Sequence, residues 1–263
     1  MRLGLIGNGA IAGFVSRTMT QRGHQIAAHL LRPERVEALQ AVDGGPVFVS
    51  SVQDLPHDLD HLVDCAGHSA LREYGAEILR AGFDLTTVSI GALADRALEV
   101  NLTQAAIAGG SKLLLVSGAI GGLDALRAAR AGDLRRVRYT GRKPPKGWIG
   151  SVAETRLDLH HLEGVAQTHF LGTAREAALE YPKNANVAAA VALSGLGFEA
   201  TEVELIADPG VAGNIHEVLA EGDFGQFTFR IAGNALPENP RSSALAAMSI
   251  ISTLEQHISP IRF

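Results

Sequence analysis

One cysteine, Cys65, occurs in 263 residues. No intrachain disulfide can form, and a reducing compartment is the simplest setting. Positive charge is also in short supply. Lys and Arg number 23 against 28 Asp and Glu, for a net charge of -5. A nucleic-acid-binding surface is therefore not expected. No uninterrupted apolar run is long enough to cross a bilayer, and the chain carries no repeat, low-complexity segment or flexible linker. Met1–Ile6 already reads as a strand, so no signal peptide is expected. These absences lead to the expectation of a cytoplasmic protein with neither membrane nor nucleic acid as partner. What is present suffices for folding. Hydrophobic residues make up 46% and charged residues 19%, and the length suits one large or two smaller domains with a core that needs no staples.

The apolar opening runs directly into Gly7-Asn8-Gly9-Ala10-Ile11-Ala12 and then an amphipathic stretch. Strand, glycine turn and helix in that order are the context in which G-x-G-x-x-G/A signals dinucleotide binding. Gly7 allows the tight turn, Gly9 lets a pyrophosphate approach the backbone, and Ala12 lets the helix lie close to the strand. The amides of Ala10 and Ile11 open the helix and face the phosphates. On the sequence, Gly7, Gly9, Ala10 and Ile11 are candidate cofactor-binding residues.

Strand-like segments alternate with helical ones through the first half. They fall at 25–31, 47–49, 62–64, 84–88 and 112–116, with helices near 69–80 and before Gly109-Gly110. This alternation predicts a doubly wound parallel sheet of Rossmann type. The second half changes character. Strands are expected at 134–139, 165–170, 201–207, 215–221 and 224–231, the last two joined by a Gly222-Asp223 hairpin signal, with helices near 173–180 and 186–196. A mixed or antiparallel sheet with helices on one face follows. A long amphipathic helix over 242–257, beginning after Pro240, is expected to return to the first domain. The overall reading is α/β: a dinucleotide-binding domain over 1–118 completed by 240–263, and a smaller α+β domain over 119–239.

The second strand ends in His29-Leu30-Leu31-Arg32-Pro33, with no carboxylate to take the ribose 2′-hydroxyl of NAD. Arg32 could meet a 2′-phosphate, with help from Arg35; the plain alternative is a solvated loop residue. Either NAD or NADP is therefore expected, with NADP accepted.

Several segments together resemble the L-aspartate dehydrogenase family. They are the Gly7–Ala12 turn, Ser117-Gly-Ala-Ile-Gly-Gly-Leu-Asp124, Tyr181-Pro-Lys-Asn-Ala-Asn-Val-Ala188, and Ala207-Asp-Pro209 followed by Asn214-Ile-His216. Lys143-Pro-Pro-Lys146 and Pro237-Glu-Asn-Pro240 are similar too. The departure is at the second strand, where some members carry an acidic residue. The resemblance implies reversible oxidative deamination of L-aspartate to iminosuccinate, then oxaloacetate and ammonia, with a place in NAD biosynthesis in some organisms. A homodimer is expected.

On that resemblance His216 takes the catalytic role, and an unperturbed imidazole can move protons near neutral pH. Taken by itself, a histidine in a strand more often serves structure. Asn186 and Ala119 match cofactor-contacting positions, although Asn186 also suits a helix N-cap. The two substrate carboxylates call for cations and donors. Lys183 and the Gly121 and Gly122 amides are the substrate-binding candidates, with Lys143 and Lys146 as further cations. Asp208 orients a neighbour of His216 or serves the turn before Pro209. Cys65 reads as a buried strand end and not a nucleophile, and His160-His161 lacks the companions of a metal site. Two alternatives stay open on the residues: a related two-domain reductase of homoserine or dihydrodipicolinate type, and a non-catalytic NAD(P)H sensor. The turn makes a direct prediction. Gly9→Val should abolish NADP binding in calorimetry while the circular dichroism spectrum stays native, and unchanged affinity would show that this loop is not the phosphate cradle.

Overall fold

The computed structural model describes residues 1–39, 44–182 and 186–262. The chain divides into two compact units, 1–116 with 247–263, and 117–246.

The first unit is a six-stranded parallel sheet. Its elements are β1 (Arg2–Ile6), α1 (Ala10–Gln21), β2 (Gln25–Leu30), α2 (Pro33–Val36), β3 (Val47–Val49), β4 (His61–Asp64), α3 (His68–Arg80), β5 (Leu85–Thr87), α4 (Arg96–Gly109) and β6 (Leu113–Leu115). The strand order β3-β2-β1-β4-β5-β6 is that of a doubly wound dinucleotide fold. Leu3, Leu5, Leu62, Val63 and Leu85 are fully buried, as expected where both sheet faces are covered. Asp95 caps α4 by accepting from the amides of Ala97 and Leu98, and Gly110 ends it in the left-handed conformation.

The second unit holds α5 (Leu123–Ala129), β7 (Leu134–Lys143), β8 (Gln167–Thr173), α6 (Ala174–Glu180), α7 (Asn186–Ser194), β9 (Glu202–Ala207), β10 (Asn214–Gly222) and β11 (Gly225–Gly233). Its five-stranded sheet runs β11-β10-β7-β9-β8. β7 and β9 are parallel and the other pairs antiparallel, so the sheet is mixed. Thr173 and Glu176 form a reciprocal capping box at the start of α6. β7 is ten residues long, where only Leu134–Tyr139 is expected from the apolar pattern. It continues through Gly141 because it is paired on both sides, to Ile215 and His216 of β10 and to Ile206 and Ala207 of β9.

The end of the chain departs from expectation. Ala235–Leu236 (β12) pairs with Asn239–Ser243 (β13), and helix α8 starts only at Ala244 and runs to Ile258. Pairing of Ala235 with Ser243 and of Leu236 with Asn239 holds the segment extended. From Ala247 onward α8 belongs to the first unit. It buries Ala247, Ile250, Ile251 and Leu254 and pairs Glu255 with Arg22 of the segment after α1. Among the described residues no helix is long and apolar enough to cross a membrane.

Helices α3 and α4 approach closely where α4 ends. A Cβ on Gly109 would lie 1.9 Å from the Leu79 carbonyl oxygen, a backbone atom that cannot rotate away. Gly109→Ala should therefore destabilise the protein by roughly 1–3 kcal/mol through overpacking, despite the better helix propensity of alanine. Urea unfolding measures this, and an unchanged or raised midpoint would refute the close approach.

Candidate active site

In the first unit the nucleotide turn has the geometry its glycines suggest. Gly7 sits at φ +94, and a Cβ there would lie 3.0 Å from that of Ala66. Gly9 is the N-cap of α1, supplies no capping side chain, and has nothing within 4 Å of where its Cβ would be. The first turn of α1 contains no acidic residue. Ala10 and Ile11 thus present backbone amides beside open space, a cradle suited to a pyrophosphate.

Asp64, at the carboxyl end of β4, supports the neighbouring loop. The carboxylate is fully buried and accepts from the Ala66 and Gly67 amides at 2.9 and 3.3 Å and from the Thr87 and Ser89 hydroxyls at 2.7 and 2.6 Å. Burial raises its pKa while these donors oppose the rise. It fixes the loop leading to Gly67, which has φ +100. An acidic residue ending an apolar strand was the available signal for this role. Cys65 is held next to it, its thiol pKa raised by burial and by Asp64, so it is no nucleophile at neutral pH. Arg32 lies at the start of α2, largely exposed, with its guanidinium 3.5 Å from Glu34.

In the second unit the chemistry gathers on one face of β7. Alternation along a strand puts Tyr139, Gly141 and Lys143 on the same side, and the register sets His216 of β10 opposite Gly141. The buried Tyr139 hydroxyl lies 2.8 Å from His216 Nδ1. Gly141 makes room for this pair, since a Cβ there would come within 2.7 Å of the hydroxyl. Burial raises the Tyr139 pKa far up, so it keeps its proton. Burial, and then the Lys143 charge, lowers His216 to about 4. The expectation that His216 ionises near neutrality therefore fails: it is neutral at pH 7. Lys143, half-buried, is lowered by desolvation to about 8, and its ammonium lies 4.8 Å from the centre of the Trp148 ring.

A second histidine–tyrosine pair lies close to the same lysine. His169 Nδ1 is 3.0 Å from the Tyr181 hydroxyl, and its ring meets Trp148 edge-on at 4.4 Å. Trp148 donates through its indole N–H to the Ile206 carbonyl at 3.0 Å. Burial, then Arg156 and Lys143, lower His169 to about 4, and its Nε2 is buried without a hydrogen-bond partner. Tyr139, His169 and Trp148 were not singled out from the sequence. The period of two through Val137, Tyr139, Gly141 and Lys143 is the pattern that points to the first of them.

The remaining sequence candidates are placed as follows. Ala119 is buried in the loop before α5. Gly121 and Gly122 lie against the Phe229 ring, where a Cβ would come within 2.6 and 3.3 Å, and Gly122 has φ +72; packing accounts for their size. Asn186 is the first residue of α7. Lys183 lies outside the described residues. Lys146 is exposed. Asp208 pairs with Arg142 at 2.7 Å and accepts from the Gly210 amide at 2.7 Å, so it serves its turn and not His216. His160 and His161 face only Glu154 and Asp158 among the described residues.

These two sets of residues coincide with two matched sequence families. The family described as homoserine dehydrogenase, NAD binding domain, matches residues 3–116. The family described as aspartate dehydrogenase, C-terminal, matches residues 124–257. An L-aspartate dehydrogenase of Ruegeria pomeroyi is 55% identical over 262 residues, covering 100% of this chain and 94% of the relative. One of Pseudomonas aeruginosa is 46% identical over 242 residues, covering 92% and 85%. The crystal structure of aspartate dehydrogenase from Thermotoga maritima superposes with a TM-score of 0.77 at 28% identity, covering 100% of this chain and 99% of that one. With half the chain in the C-terminal family and full-length relatives at this identity, the protein belongs to the aspartate dehydrogenase family.

Proposed function

We propose that the protein oxidises L-aspartate at Cα with NAD or NADP, giving iminosuccinate and, after hydration, oxaloacetate and ammonia. The observation that carries this reading is the neutral His216, fixed by Tyr139, on the same sheet face as a lysine whose pKa lies near 8. The Gly7–Ile11 turn fits a dinucleotide, and when bound the nicotinamide supplies the hydride acceptor.

The amino group of aspartate is an ammonium at neutral pH. Its nitrogen can form a C=N bond only after losing a proton, so the reaction needs a base. Lys143, as the neutral amine, takes that proton; the Cα–H electron pair then leaves as hydride and the nitrogen lone pair closes the imine. Once that first proton has passed to solvent, the amine takes a proton from the water that adds to the imine carbon, and the ammonium so formed returns it to the departing nitrogen. His216 is too weakly basic for this work. Because Tyr139 keeps its proton and donates it to Nδ1, the ring hydrogen resides on Nε2, and the neutral imidazole offers that N–H to a substrate oxygen. His169 Nε2, buried and unpartnered, suits a carboxylate oxygen in the same way. Ala119 and Asn186 are read as cofactor contacts on family resemblance, and Lys183 with the backbone amides of Gly121 and Gly122 as substrate contacts because two carboxylates call for cations and donors. The reading takes a cytoplasmic homodimer as the working form.

Two predictions follow from these assignments. The value of kcat/KM for L-aspartate should rise with pH to a plateau, with a midpoint near 8 where Lys143 loses its proton. Lys143→Met should remove this limb and cost about a hundredfold to ten-thousandfold in turnover. His216→Ala should cost turnover yet keep the limb, and both variants should still bind the dinucleotide. A limb that survives Lys143→Met and vanishes in His216→Ala would exchange the two roles.

The second concerns cofactor choice. Arg32 is taken to meet the 2′-phosphate of NADP, for which Glu34 competes. Arg32→Glu should lower the ratio of NADP to NAD efficiency about tenfold or more, the loss of one charge-assisted contact of roughly 1.5–3 kcal/mol. An unchanged ratio assigns Arg32 to the solvated surface.

A further inference from the structure

Away from the nucleotide turn, the first unit brings together His61, Asp84 and His257, whose potential ligand atoms all lie within 4.8 Å of one another. His61 opens β4 and Asp84 immediately precedes β5, so both lie at the amino edge of the parallel sheet. Dinucleotides bind at the carboxyl edge. His257 comes from the last turn of α8. The three are far apart in sequence, so no ligand spacing announces them. Their environments are graded: His61 is fully buried, while Asp84 and His257 keep 22% and 27% of their side chains exposed, enough for an ion to enter.

His61 carries the second observation. Its Nε2 is 2.7 Å from the buried Thr86 hydroxyl, and its Nδ1 is buried with no hydrogen-bond partner. A metal-binding imidazole is held in this way, one nitrogen fixed by an oxygen and the other lone pair left for the ion. The His257 ring is 5.2 Å from that of His61, and its Nε2 is 3.6 Å from Asp84 Oδ2. The other Asp84 oxygen is anchored by the Lys112 amide at 2.7 Å.

We propose that His61, Asp84 and His257 bind a divalent transition-metal ion of the zinc type, which ties the C-terminal helix to the amino edge of the nucleotide-binding sheet. Two imidazoles and one carboxylate form a ligand set suited to zinc, with water completing a tetrahedron. Bond lengths near 2.0–2.2 Å require donors closer together than they now lie, and rotation of the partly exposed Asp84 and His257 side chains closes the gap onto the fixed His61. Asp60 adds negative charge nearby.

The test uses untagged, full-length protein freed of metal by chelation and titrated with cobalt(II) or zinc chloride. The expected result is one equivalent bound, with the visible absorption of four-coordinate cobalt. Zinc at about a hundredfold excess over Kd should raise Tm by roughly 5–10 °C. His257→Gln and Asp84→Asn, both at partly exposed positions, should each weaken cobalt binding by more than about a hundredfold, given that loss of an outer-shell partner alone costs 10–100-fold. His161→Gln, at an exposed histidine elsewhere, should leave binding intact. Absence of a bound equivalent, or binding that survives both His257→Gln and Asp84→Asn, overturns the proposal.

Discussion

Burial at the carboxyl end of β7 sets the chemistry of the second unit. A buried hydroxyl or imidazole without a partner costs about 1–3 kcal/mol, and Tyr139 and His216 satisfy each other. That one hydrogen bond constrains three positions. Gly141 must lack a side chain, because the hydroxyl occupies the space a Cβ would take. Tyr139 keeps its proton, and where it donates that proton to Nδ1, His216 carries its own on Nε2. Lys143 lies two residues further along the same face, where its charge and the shared desolvation push both groups toward neutrality. Ionisation near neutral pH thus passes from the histidine, which sequence reasoning favours, to the lysine.

The first unit solves a similar problem with an anion. Asp64 is buried at a strand end and would be costly there alone. Four donors from two segments converge on it, tying the loop at Gly67 to the end of β5 at Thr87 and to Ser89. The nucleotide turn therefore rests on two kinds of constraint. Gly7 takes the positive φ of the turn and Gly9 leaves open space beside it, and Asp64 holds the adjoining backbone. Buried polar groups that are fully satisfied make a loop rigid, which a cradle built from backbone amides needs.

Legibility in the sequence follows the range of the interactions. The parallel sheet is plain in the apolar strands and the glycine turn, since both are local patterns. The mixed sheet is plain in outline, but its strand lengths are not. β7 extends through Gly141 and Lys143 because partners on both sides complete its ladder, and nothing in the residues themselves demands extension. The Asn239–Ser243 strand was likewise hidden by an amphipathic pattern that starts just beyond it. His216 was legible through its flanking residues, but not its ionisation state, which depends on a tyrosine 77 residues away. Gly121 and Gly122 resembled ligand-binding positions, whereas their contact with Phe229 is a sufficient reason for glycine.

In the proposed reaction the two catalytic tasks draw opposite requirements from one environment. A base for an alkylammonium must be neutral for a useful fraction of the time at neutral pH, and an unperturbed lysine near 10.4 is not. Desolvation moves Lys143 down to about 8. A donor to a substrate oxygen must hold its proton and remain uncharged, so that it does not repel the cationic amine. Desolvation also provides this, by moving His216 below the range in which it would become imidazolium. Were the β7 face open to water, the lysine would return toward its usual pKa and the histidine toward 6.5, and both roles would weaken together. The aromatic floor of Trp148, His169 and Tyr181 is therefore part of the proton chemistry, because the apolar surface beside Lys143 keeps its amine available.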